Sequence, residues 1–338
     1  MKPRNLLPIA LAALLLLGAT APASALNLRL NIMYGPKHPL ARGVFSYWAK
    51  KVKEVTNGRV KVTIFYASAL ARPKEVYDAT VAGVVDVGLS CPTYARERFP
   101  LSGVLDLPMV ATSSAEKNSV VLWKLYEKYP AMQREYKDVK LLWLYVNPAY
   151  QLHFTKREVR RLEDIKGVTI SAGGGVALEM LKAFGANPEA IIMTDVFLAL
   201  QKGVVEGCFL PYAPLRPRRM ADLLHTHTVG DFVANAFYVV MNKRKWNQIS
   251  PQDQKAIMRI SGLAAARRSG QDFDQAQKRD IAWMKKKGDK FFVLEPQERA
   301  RWAKRILHIR QRWVKKLEAR GLPARQILND ALSMLGSK

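Results

Sequence analysis

The chain has 338 residues, nearly half of them hydrophobic, with 54 basic against 28 acidic side chains and only two cysteines. This composition excludes a disulfide-built mini-domain and a disordered or low-complexity chain, and the length suits two folded domains better than one core. The net charge of +26 invites a nucleic-acid reading, but the basic residues are spread along the chain without zinc-finger spacing, an RRM signature or a helix-turn-helix.

Lys2 and Arg4 precede an apolar run over residues 6–17, followed by APASA ending at Ala25. A charged start, a short apolar core and small residues at the end make a secretory signal peptide. The run is shorter than the ~20 residues a spanning helix needs, and no later run is long enough. The reading is a periplasmic, exported protein cleaved near Ala25. A positive field on such a protein raises the local concentration of small anions and favours anionic membrane surfaces.

Residues 28–33 (LRLNIM) alternate as a first strand and enter the turn-rich YGPKHP at 34–39. Residues 41–56 read as one helix with Val44, Phe45, Trp48, Val52 and Val55 on a face, ended by Asn57-Gly58; 59–66 is a second strand. Residues 75–88 read EVYDATVAGVVDVG, and 120 residues later 195–208 read DVFLALQKGVVEGC. Each copy predicts a helix end, a glycine stop and a short strand over the apolar residues that close on an acid. One copy per half predicts two similar α/β lobes facing each other across a cleft.

Between the copies, 113–129 predicts a helix and 139–146 (VKLLWLYV) a buried strand ended by Asn147-Pro148. Strands at 151–155 and 168–171, a triple glycine at 173–175, a helix at 176–184 and an extended 191–193 follow. Residues 237–241 (FYVVM) read as a strand returning to the first lobe. From Lys245 the pattern is helical, with a basic stretch over 285–320 whose apolar spacing marks packed helices.

Chemistry-bearing patterns are sparse. GGG before a helix is a weak anion cradle that matches neither GxGxxG nor GxxxxGK[ST]. His225 and His227 read as loop histidines because no third metal ligand lies near in sequence. Cys91 and Cys208 each end one repeat strand and read as buried free thiols on opposite sides of the cleft. Asp86 and Glu206 occupy matching places in the repeat, which marks them as scaffold rather than an acid/base pair. No GxSxG, HExxH or CxxC occurs. An enzyme, a cofactor and a metal are therefore not expected.

The wording of 38–70 (HPLARGVFSYWAKKVKEVTNGRVKVTIFYASAL), of 162–207 (LEDIKGVTISAGGG to GVVEG) and of 238–257 (YVVMNKRKWNQISPQDQKAI) resembles solute-binding receptors of TRAP (tripartite ATP-independent periplasmic) transporters, of DctP type. The resemblance implies a two-lobed, class II-like periplasmic binding fold with mixed sheets flanked by helices. It implies a small organic solute closed between the lobes and delivered to the permease's membrane subunits, without nucleic acid, by a monomer. Lobe I is expected over 26–148 and about 237–276, lobe II over 149–236 and about 277–338, with hinges at 147–150 and 234–238.

The family's carboxylate-pairing arginine falls at Ser171 here, its second arginine near Tyr150, and its asparagine near Leu210. A hydroxyl cannot match a carboxylate as a guanidinium fork does. The expected walls are aromatic and apolar: Tyr34, Tyr94, Tyr150, Phe197, Phe209, Leu210 and Tyr212. Ser90, Asn235 and Ser171 are the expected polar contacts, and Arg216, His153 or the turn at Gly173 the replacement anion partners. Such walls suit an organic acid that is aromatic or partly apolar. The alternatives are a ligand without a carboxylate, and a receptor used for sensing rather than uptake.

Overall fold

The computed structural model describes residues 25–336, so the expected leader, Ala25 apart, lies outside the described residues. The first half runs β1 (Leu26–Asn31), α1 (Ser46–Val55), β2 (Val60–Phe65), α2 (Val76–Ala82), β3 (Val87–Ser90), α3 (Ala115–Lys128), α4 (Pro130–Arg134) and β4 (Val139–Val146). Next come β5 (Gln151–Phe154), β6 (Thr169–Ala172), α5 (Val176–Phe184), β7 (Asn187–Ala190), α6 (Val196–Gln201), β8 (Gly207–Leu210) and β9 (Thr226–Val229). The chain then returns through β10 (Ala236–Asn242) and continues as α7 (Lys243–Asn247), α8 (Pro251–Ile260), α9 (Gly262–Lys287), β11 (Lys290–Val293), α10 (Pro296–Glu318) and α11 (Ala324–Leu335).

Two mixed sheets carry the fold. The first has the order β2-β1-β3-β10-β4 and the second β11-β9-β5-β8-β6-β7. In the first, β1 is parallel to β2 and β3, and β10 runs antiparallel between β3 and β4. In the second, β6 is parallel to β7 and β8, while β5 is antiparallel to β8 and β9. This is the two-lobed α/β architecture expected from the repeat.

The lobes are bound by more than the strand crossings. α9 buries Ala265, Ala266 and Phe273 in the first core and Met284 in a second-lobe cluster. α10 buries Trp302, Ile306 and Ile309 in the second lobe but Val314 and Leu317 in the first core. α11 packs on α3 and gives Ile327, Ala331 and Leu335 to the first core. The segment after 276 therefore contributes to both cores. Asp274 on α9 accepts from the Ala115 and Glu116 amides (2.7 and 3.1 Å), adding an anionic partner to the start of α3, which Ser114 caps through the Lys117 amide.

Four local readings differ from the sequence patterns, each for a physical reason. The helix expected at 41–56 is broken at Gly43 (ψ −110°). There Asp272 of α9 inserts to accept the Val44 amide at 2.6 Å, and a Cβ on Gly43 would lie 2.1 Å from that carboxylate. The edge strand β7 is NPEA, one step before the apolar 191–193, because Pro188 is tolerated only at a sheet edge and Ile192 is 67% exposed. The strands ending the repeat start at Val87 and Gly207, so Val84 and Val204 sit exposed in the turns before them. In the basic stretch, Gly288 in the left-handed region (φ 97°) stops α9 and KFFV forms β11, parallel to β9.

Candidate functional site

The chain crosses between sheets at 147–150 and again at 230–235, the second earlier than the expected 234–238 because β10 already starts at Ala236, and the two crossings are bonded to one another. The Tyr150 amide donates to Val233 O (2.6 Å), the Phe232 amide to Tyr150 O (3.2 Å) and the Asn147 amide to Asn235 O (3.2 Å). Asn147 Oδ1 accepts the Asn235 amide at 2.7 Å. These bonds make a narrow backbone ribbon between two bulky cores.

Beside that ribbon stands a group of phenols. Tyr34 and Tyr145 share a hydroxyl contact of 3.0 Å, and Asn235 Nδ2 donates to Tyr150 Oη at 2.8 Å. The Tyr150 ring lies 5.5 Å from that of Phe209. His38 stacks on Tyr34 with centroids 3.9 Å apart, and burial pushes its pKa down to about 4, so it is a neutral aromatic plate. Burial raises the Tyr34 and Tyr150 hydroxyls, with electrostatic contributions from Cys91 and Tyr94 in both cases. Two hydroxyl contacts, Tyr34–Tyr145 and Tyr150–Asn235, thus stand beside the ribbon, and Tyr94 is half exposed.

A cavity of about 590 Å³ opens alongside, between the loop after β3 and the helices α5 and α10. Phe99, Leu107, Val176, Ile309 and Trp313 form its apolar walls; its charged residues are Arg96, Glu97, Asp106, Arg312, Lys316 and Arg320. Asp106 accepts the Ala236 amide at 2.7 Å. Burial raises its carboxyl to about 7, against the opposing effects of that amide and Arg96. Val176 and Ile309 pack with the second-lobe core while Phe99 and Leu107 belong to the first, so the cavity has walls from both lobes.

The other expected residues fall elsewhere. Ser90 Oγ donates to Pro73 O at 2.5 Å, inside the first lobe. His153 and His227 are wholly buried, so His227 is a strand residue rather than the loop histidine expected, and their Nδ1 atoms are 2.7 Å apart. His153 Nε2 contacts Leu210 O at 3.0 Å, and the Tyr212 ring packs against His153 at 5.0 Å. Burial drives both histidines down, His227 to about 3, and Asp289 beside them is met by Lys287 Nζ at 3.2 Å. His153, Leu210 and Tyr212 therefore form a group within the second lobe.

Ser171 is buried, and among the described residues its hydroxyl has no hydrogen-bond partner; nor does that of Tyr212. Gly173 is exposed at the start of the glycine turn. Phe197 is half-buried under the Arg219 guanidinium, 5.8 Å from its ring. Arg216 lies 3.6 Å from Asp280 and 4.9 Å from the Trp283 ring, which occupies its charge.

Asp86 and Glu206 hold strands. Asp86 Oδ2 accepts the Arg29 amide (2.8 Å) and Nε (3.0 Å), and Glu206 Oε2 accepts Arg157 Nε at 3.0 Å. Cys91 and Cys208 are free and buried. Cys91 Sγ donates to Ala236 O at 2.9 Å, and burial raises its thiol to about 12, so it is no nucleophile at neutral pH. Among the described residues no group of three or more His, Cys, Asp or Glu is placed to hold a metal ion, and no helix is long and apolar enough to cross a membrane.

Sequence reading missed Arg96, Asp106 and His38. Arg96 lies in the run ARER, which carries no motif. Asp106 lies in LDLP, where nothing in the pattern shows that its carboxyl turns inward to the returning strand.

The profile of the bacterial extracellular solute-binding proteins, family 7 (DctP), matches residues 30–316. The chain is 29% identical over 336 residues to the outer membrane transporter protein TsaT of Comamonas testosteroni, covering 96% of each. It superposes with a TM-score of 0.87 on a TRAP periplasmic solute binding protein from Desulfovibrio salexigens, at 26% identity over 92% of this chain and 96% of that one. A TRAP solute binding protein from Bordetella bronchiseptica with bound (R)- and (S)-mandelate aligns at 25% identity with a TM-score of 0.80, over 92% of this chain and 99% of that one. The chain belongs to the bacterial extracellular solute-binding proteins of family 7, the periplasmic TRAP receptors, whose role is binding and transport rather than catalysis.

Proposed function

We propose that this receptor captures a small organic acid with an aromatic or partly apolar body in the space between its lobes, and hands it to the membrane subunits of a TRAP permease. The observation that carries this reading is the cavity beside the strand ribbon. Its walls come from both lobes, are largely apolar, and carry four basic against two acidic side chains. The phenols of Tyr34, Tyr94 and Tyr150, with Asn235, supply the few oriented polar contacts such a site uses. The mandelate-bound relative supports the same ligand class.

The mechanism is closure of the lobes about the ribbon at 147–150 and 230–235. A ligand touching both lobes stabilises the closed form by the contacts that the open form lacks. Export with removal of the leader near Ala25 belongs to this reading, as does action as a monomer.

Mass spectrometry of solute co-purified with the exported protein, followed by a thermal-shift panel, tests it. Mandelate, benzoate and 3-hydroxybenzoate are expected to stabilise the protein, by about 2.7 kcal/mol at a hundredfold excess over Kd. Glucuronate and succinate are expected to do so weakly. Stabilisation only by neutral solutes would replace this reading with the ligand lacking a carboxylate, in line with the hydroxyl at Ser171.

A further inference from the structure

We propose that Arg96 is the charge anchor for the ligand's carboxylate, a first-lobe cation that reaches across the cavity to the second lobe and ties the two together through the ligand. The inference rests on the organic-acid reading above and names the residue that reads the acid.

Arg96 follows the short turn Pro92–Ala95 at the end of β3 and is exposed within the cavity rim. Its guanidinium extends toward the opposite wall: Nη2 lies 3.9 Å from where a Cβ on Gly175 would stand. Gly174 and Gly175 adopt φ of 109° and 58°, values that L side chains avoid. The turn facing Arg96 thus presents bare backbone, and among the described residues no other atom beyond its chain neighbours lies within 4 Å of that Cβ position.

Three other arginines near this space are committed. Both oxygens of Glu179 take Arg312 Nη2, at 2.6 and 2.5 Å. Asp78 takes Arg98 at 2.7 Å, and Pro108 O takes Arg310 Nε at 2.7 Å. Arg96 has no ion pair within 4.0 Å among the described residues, and its fork of donors is unspent. The internal carboxylate best placed to compete is Asp106, which feels the field of Arg96 without bonding to it. One Asp106 oxygen is already given to the Ala236 amide. Its raised carboxyl is partly neutral near pH 7, which leaves the guanidinium short of a counter-ion.

Position separates Arg96 from the remaining cations of the cavity. Lys316 stands on α10 and Arg320 just beyond its end, whereas Arg96 stands on the loop after β3. Arg96 acts electrostatically on Cys91 and Asp106, the same two groups that act on the Tyr150 hydroxyl. A carboxylate bound by Arg96 leaves the ring it carries beside the apolar walls of the same cavity, Phe99, Leu107 and Val176 among them. A guanidinium fork holds a carboxylate bidentately, which fixes the plane of the ligand as well as its charge.

Isothermal titration with (R)-mandelate and benzoate, and with mandelamide and benzamide as neutral counterparts, tests the assignment on the full mature chain. Arg96→Gln is expected to weaken both acids at least tenfold while changing the amides little, and Arg96→Lys to recover part of the loss. Lys255→Gln, which removes an exposed charge outside the cavity, is expected to change acid binding less than threefold. An unliganded melting temperature equal to that of the wild type shows that Arg96→Gln folds. Equal acid affinity in Arg96→Gln and wild type overturns the anchor while leaving the organic-acid reading intact. A wild type that binds neither acid overturns both.

Discussion

The two copies of the helix–glycine–strand corner perform the same task with different strength. In the first, Asp86 is 2% exposed and accepts the amide of Arg29 on the neighbouring parallel strand β1 together with its guanidinium. In the second, Glu206 occupies the same place beside the neighbouring parallel strand β6, where Oε1 accepts the Thr169 amide at 3.4 Å. Its side chain is 42% exposed, and its ion pair with Arg157 is in water. Each copy also keeps a glycine next to the acid, one residue out of step. Gly88 makes room for Val76 and Thr80 of α2, while Gly207 makes room for the backbone of β5. The comparison teaches that the repeat conserves a strand-linking acid, and that burial decides how much each acid contributes.

The largest test concerns the glycines. A Cβ on Gly207 would lie 2.4 Å from His153 O and 2.5 Å from Phe154, which are backbone and a fully buried ring. Gly207→Ala is expected to cost more than about 3 kcal/mol in urea unfolding, at the upper end of overpacking penalties. Gly88→Ala meets side-chain atoms of Val76 and Thr80 at 2.5 and 2.6 Å, and is expected to cost about 1–2 kcal/mol. Equal losses would mean that the two corners tolerate crowding alike.

The acids come next. Asp86→Ala strips bonds from the Arg29 amide and leaves its guanidinium without its carboxylate, an expected loss of about 2–3 kcal/mol. Glu206→Ala removes a solvent-exposed pair and is expected to cost below about 1 kcal/mol. A larger effect at Glu206 would reverse the comparison.

The smallest effect is one of pH, and it has opposite signs in the two lobes. The Asp106 carboxyl is raised to about 7 when folded, so its contribution is fully present below pH ~4 and is lost as pH rises through 7. His227 is depressed to about 3, so its contribution is present above pH ~6.5 and is lost as pH falls toward 3. Hydrogen exchange corrected for intrinsic rates is expected, between pH 7 and 5, to show more protection around 104–106 and 236 and less around 153 and 227. Asp106→Asn is expected to remove the first-lobe change alone.

Much of the fold was legible because periodicity reports burial. LLWLYV (141–146) in β4 and FYVVM within β10 are continuous apolar runs, as strands covered on both faces must be. The edge elements were harder to read. β7 is NPEA, and β11 is four residues inside a basic helical stretch; each is defined by the strand it pairs with rather than by its own pattern. Of the expected site residues, Tyr150 and Asn235 share a hydrogen bond beside the ribbon, while Ser90, His153 and Tyr212 lie within single lobes. The charge of the site was not legible, because an arginine in ARER looks the same whether it faces solvent or another lobe.

By itself the chain's wording determined the two similar lobes, the scaffold role of Asp86 and Glu206 and the family, since these rest on short-range patterns and on order along the chain. Only the tertiary structure decided that Asp272 breaks the helix at Gly43, that His153 and His227 share one buried contact, and that Arg96 stands opposite Gly175. Each of these joins residues at least 70 positions apart in sequence, and the proximity arises from packing two cores against one ribbon and two shared helices.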